Sequence, residues 1–89
     1  NLKKDINFLI DEVIGTCLIR QSMQTGKQEQ ELDDIMNEML IFRDEMIEKV
    51  NSPQLTESDK NLRTYYRNLY GDLIKKVNDT FDKLNEMTE

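Results

Sequence analysis

The chain has 89 residues, a net charge of -6, 37 % hydrophobic and 34 % charged residues, three glycines and one proline. That length points to one domain spanning 1–89 with one modest core, and the balance of apolar and charged residues favours a helical globular protein over disorder. The acidic balance works against nucleic acid and anionic membrane, no apolar run approaches a membrane span, and a single cysteine permits no disulfide within these residues.

The first element is read from "INFLIDEVIGTCLI", residues 6–19, in which nine of fourteen residues are apolar. On a helical wheel Leu2, Ile6, Leu9, Ile10, Val13, Ile14, Cys17 and Leu18 share one half, which predicts a helix over about 3–23. Its expected stop is Gly26, followed by Lys27 at the negative end of the helix dipole. Asp11 and Glu12 within the stretch argue against a signal-peptide core.

The second element, about 28–51, gathers Leu32, Ile35, Met36, Met39, Leu40, Phe42, Met46, Ile47 and Val50 on one face. Acids occupy the other, and "NSP" ends it because the residue before Pro53 is pushed out of the helical region. The third element is expected over about 56–87. Thr56 is read as its cap, with Asp59 three residues on as a weaker capping box. Leu62, Tyr66, Leu69, Tyr70, Leu73, Ile74, Val77, Phe81, Leu84 and Met87 form its stripe, with Tyr65 at the edge and Gly71 on the polar side marking a slight bend. No segment alternates as a strand does. Short connections between amphipathic helices make neighbours antiparallel, so the expected fold is an all-α, up-down-up three-helix bundle.

One helix face does not account for all the apolar residues of the first element. Phe8 and Ile19 lie about 20° apart on the far side of the wheel, at about 100° per residue, with Gly15 between them and Met23 at the edge. Ile41 is a similar outlier on the second helix. Scattered exposed apolar residues are ordinary on any surface. The functional reading is a protein-binding stripe of Phe8, Gly15, Ile19, Met23 and Ile41, with a second copy of the chain as partner.

The absence of histidine removes Ser-His and Cys-His catalysis and the usual zinc sites. Asp34 and Glu38 share a face, but the acids of "EQELDDIMNE" lack the Gly-containing turn of a calcium loop and read as a solvated face. "QTGKQ" lacks the Walker spacing. Cys17, on the core face, reads as a small hydrophobe. No metal, cofactor or enzymatic activity is expected. Arg43 falls near the centre of the second apolar face and is expected to be a buried charge that Asp11, Glu12 or a tyrosine hydroxyl satisfies.

Lys60, Arg63, Arg67, Lys75 and Lys76, interleaved with three tyrosines, compose the alternative, a nucleic-acid patch on the third helix. Residues 29–51 carry eight acids and two bases, and 60–76 five bases and one acid. The basic flank is therefore read first as the complement of the acidic second helix. A lone thiol and no membrane span suggest a reducing, cytoplasmic setting.

"KKDINFLIDEVIGTCL" and "YYRNLYGDLIKKVNDTFDKL" resemble a family of short all-helical bacterial proteins of unknown function. The shared pattern is basic residues, Ile-Asn, an apolar-acidic helix with a cysteine, Asn-Ser-Pro-like residues, and a closing Tyr/Leu/Lys helix. The resemblance covers most of the chain and implies a small helical bundle. It brings no activity, cofactor or site residue.

Overall fold

The computed structural model describes residues 1–23, 27–56 and 59–87, with Lys27 described by its backbone alone. It contains three helices: α1 Leu2–Met23, α2 Lys27–Asn51 and α3 Leu62–Glu86. There is no strand among the described residues, so the fold class is all-α. The expected stop at Gly26 lies outside the described residues. The helices form a rod of 47 × 20 × 18 Å.

Local bonds mark the start of α1, the end of α2 and the start of α3. Asn1 Oδ1 accepts from the Lys4 amide at 3.1 Å, satisfying one free donor of the first turn of α1. The last turn of α2 extends to Ser52, whose amide donates to Glu48 O at 2.8 Å, and Pro53 follows. The start of α3 corrects the expected one. Thr56 and Asp59 do pair, the Asp59 carboxylate accepting from the Thr56 amide at 3.1 Å and its hydroxyl at 2.9 Å, but both lie outside α3. The cap of α3 is Asn61, in extended backbone conformation, whose Oδ1 accepts from the Thr64 amide at 2.9 Å. Residues 56–61 offer no apolar side chain after Leu55 that packing could reward, and packing supplies most helical stability. Downstream, α3 runs unbroken through Gly71.

Ile6, Ile10, Val13 and Cys17 of α1, Leu32, Ile35, Met39 and Met46 of α2, and Tyr65, Leu69, Leu73, Val77 and Leu84 of α3 form one core. The spacing repeats every three or four residues, as one helix face requires. Thr80 is buried with them, its hydroxyl donating to Lys76 O at 2.7 Å and lying 3.5 Å from Met39 Sδ.

Four residues expected in the core are instead exposed: Leu18 (54 %), Leu40, Leu62 (51 %) and Tyr70. Leu18, Leu40 and Tyr70 sit at the edges of apolar arcs wider than their neighbours cover. Leu62 is in the first turn, beyond the last packed layer. Tyr65, expected at the edge, is buried.

Polar bonds tie the helices at their ends. Gln21 near the end of α1 donates to Glu29 O and to Asp33 Oδ1, at 3.1 and 2.6 Å, near the start of α2. Tyr65 and Tyr66 at the start of α3 donate to Lys49 O and Val50 O at the end of α2, both at 3.2 Å. Arg20 of α1 donates to Leu84 O in the last turn of α3. No described helix is long and apolar enough to cross a membrane.

Candidate interaction surface

The stripe on α1 is built by helical periodicity alone. With Ile6, Ile10, Val13 and Cys17 turned inward, residues about half a turn away must face out. Phe8 is 62 % exposed, Ile19 63 % and Met23 76 %. Between them Gly15 leaves a gap, since a Cβ built there meets no atom within 4 Å. The helix carries three acids, Asp5, Asp11 and Glu12, against three bases, Lys3, Lys4 and Arg20. The chain's negative charge therefore lies elsewhere, and mostly on α2.

Ile41 is exposed too, but it does not extend this stripe. It lies opposite the buried face of α2, just as Phe8 lies opposite that of α1, so the two point away from a shared core in different directions. Its helical neighbours at three, four and seven residues are Asp34, Glu38, Asp44, Glu45 and Glu48, with Asn37.

Arg43 is not a buried charge. Its side chain keeps 32 % exposure, and its ion-pair partner is the adjacent Asp44, at 3.5 Å. The tyrosine hydroxyls it was expected to meet are taken by carbonyls at the end of α2. Its wheel position lies on the flank of the buried strip, which lets the long side chain reach outward.

The basic residues of α3 do not form one free patch. Lys76 pairs with Glu38 at 2.6 Å, and Lys75 with Asp79 at 3.0 Å. Lys76 is also 5.8 Å from the centroid of the Phe42 ring, on the inner flank of α3. Lys60, Arg63 and Arg67 are exposed.

A cleft of about 680 Å³ opens between the end of α2 and the start of α3, lined by Glu45, Glu48, Asp59, Tyr65, Asn68 and Asp72 among others. The Asp59 carboxyl sits below the ordinary carboxylate range, because the Thr56 amide and hydroxyl and then Asn68 bond its ionised form. That shift does not serve proton donation near neutral pH. Burial pushes the Cys17 thiol up, against a smaller opposing pull from Arg20. A thiol so placed is a poor nucleophile. Among the described residues no group of three or more His, Cys, Asp or Glu is placed to hold a metal ion.

Comparison with protein-family models, curated proteins and solved structures yields no match to this chain.

Proposed function

We propose that the chain is a single up-down-up three-helix domain that works without catalysis or cofactor, as a protein-binding module whose partner is a second copy met through α1. The end-to-end bonds of α1 with α2 and of α2 with α3 support the alternating helix directions. The observation that carries the binding role is the exposed apolar stripe of Phe8, Ile19 and Met23 across Gly15, on the helix whose charges cancel. Two chains of like net charge associate best where the local charge is neutral. A cytoplasmic setting accords with a free, buried thiol.

The nucleic-acid reading has less support, because Lys75 and Lys76 are engaged by carboxylates and phosphate affinity grows with the number of free cations.

Sedimentation over about 1 to 100 µM, the range in which a modest dimer dissociates, tests the proposal. The parent chain is expected to dimerise and the Phe8→Lys, Ile19→Lys double variant to stay monomeric with unchanged helix content. A parent that is monomeric throughout, or a variant that still dimerises, would overturn it.

A further inference from the structure

The third helix covers only one side of the α1–α2 pair. The groups of α2 that meet α3 include Glu38, Met39, Phe42 and the Lys49 and Val50 carbonyls. Glu38, Phe42 and Lys49 sit along one flank of the buried strip, and Met36, Leu40, Arg43 and Ile47 along the other. On α1, Arg20 reaches α3 from one flank and Gln21 reaches α2 from the other. Ile14 and Leu18 share the flank of Gln21.

Ile14 and Leu18 therefore join Met36, Leu40 and Ile47 in one apolar seam on the side of the pair away from α3. Leu18 and Leu40 are exposed, and Ile14, Met36 and Ile47 are half-buried. This is the place a fourth helix takes in a four-helix bundle. The gap at Gly15 borders it.

The seam contains one cation, Arg43, whose ion-pair partner among the described residues is its exposed neighbour Asp44. Asp11 of α1 is exposed and makes no ion pair among the described residues. The Gln21–Asp33 bond sets the two helices' heights. Ten residues back along α1 and ten on along α2 come Asp11 and Arg43, level with each other but unjoined.

We infer that a second copy fills the seam: two α1–α2 pairs stack about a two-fold axis into a four-helix layer, with Arg43 of each copy paired to Asp11 of the other. The inference rests on the self-association proposed above and fixes its geometry. Charge complementarity selects the occupant. A two-fold axis parallel to the helices lays α1 of each copy on α2 of the other without changing height, so the common height of Asp11 and Arg43 makes their pairing reciprocal, as an isologous interface requires. Asp34, Glu38, Glu45 and Glu48 lie around the rest of α2, away from the seam, while Asp33 and Asp44 border it, so Arg43 is the charge of α2 within the seam that can attract an acidic second copy.

Sedimentation of four further variants tests this: Leu18→Lys with Leu40→Lys, Arg43→Asp, Asp11→Arg, and the last two combined. The lysine pair should abolish the dimer. Each single reversal should weaken it by at least about tenfold, and the combined reversal should restore most of the loss. In a Cys17→Ala background, Asp11→Cys chains mixed with Arg43→Cys chains should oxidise to a covalent heterodimer, a readout that does not depend on the charge-reversal variants folding well. A dimer that survives the Leu18 and Leu40 changes yet is lost with Phe8→Lys, Ile19→Lys overturns the seam and leaves association through α1 standing. A parent chain that is monomeric at about 100 µM overturns both.

Discussion

Lys76 of α3 bridges to α2 twice, with its Nζ 2.6 Å from Glu38 Oε2 and 5.8 Å from the centroid of the Phe42 ring. The Lys76 hydrogen bond holds the Glu38 carboxyl below its ordinary range, with Lys83 adding a smaller pull and partial burial opposing. A carboxyl depressed in the folded state stabilises fully above its unfolded pKa and loses that contribution as pH falls through the folded value. Glu38 keeps 54 % side-chain exposure, so solvent screens the pair, and Glu38→Gln should cost only about 0.5 kcal/mol at pH 7. Urea midpoints of parent and variant should converge as pH falls through the lowered titration range of Glu38. A gap that does not narrow as the solution is acidified would show that the pair is not the source.

Two tyrosine hydroxyls satisfy carbonyls that the end of α2 cannot pair internally. Tyr65→Phe should cost about 1 kcal/mol, since a part-buried hydrogen bond is lost while the buried ring stays packed. Tyr66→Phe should cost less, because its site is half-buried and water can replace the bond. The midpoint should shift at unchanged urea slope; a changed slope would mean that the denatured or native ensemble had altered instead.

What the sequence made legible was periodic: three helices, two of them within a residue of their expected bounds, and the inward face of each. Less legible were features that depend on which neighbour lies alongside. A wheel shows that Leu18 and Leu40 border an apolar arc, but not that α3 leaves that flank uncovered. Arg43 looked central for the same reason, since its angle falls near the core while its length carries the charge out. The stripe of Phe8, Gly15 and Ile19 was legible because it lies opposite the buried face, where no packing arrangement of three helices would cover it. Ile41 satisfied the same test on a different helix, and the wheel alone could not say that the two point apart.

The misplaced start of α3 gives a direct contrast. Asn61→Ala removes the acceptor of the Thr64 amide and should destabilise by about 1 kcal/mol. Thr56→Ala removes one of the exposed bonds to Asp59 and should fall within about 0.5 kcal/mol of the parent. The reverse order in thermal melts would mean that the Thr56–Asp59 pair, and not Asn61, fixes the helix start.

Cys17 combines full burial with a raised thiol pKa. The thiolate is the reactive form, so a native chain should resist a maleimide on both grounds. Labelling should follow opening of the fold: slow in buffer, and rising with urea in step with the unfolded fraction. Fast labelling in buffer would place Cys17 in a region that opens locally, inconsistent with its position among Ile10, Val13 and Leu32 in the core.

Arg20 is the residue whose role the sequence disclosed least, because its acceptor is a backbone carbonyl 64 positions away. Its guanidinium donates to Leu84 O, which also receives the Met87 amide at 3.1 Å. A cation at the negative end of a helix is favoured by the dipole as well as by the bond. Arg20→Met keeps much of the apolar stem but loses both, and should cost about 1.5 kcal/mol. The same change removes the one charge that lowers the Cys17 thiol, so that thiol should rise further. Fraying of the last turn of α3 should accompany the loss, visible as faster amide exchange at Met87 while the amides of α2 hold their protection. Uniform loss of protection across all three helices would instead make Arg20 a determinant of global stability, with no special hold on the end of α3.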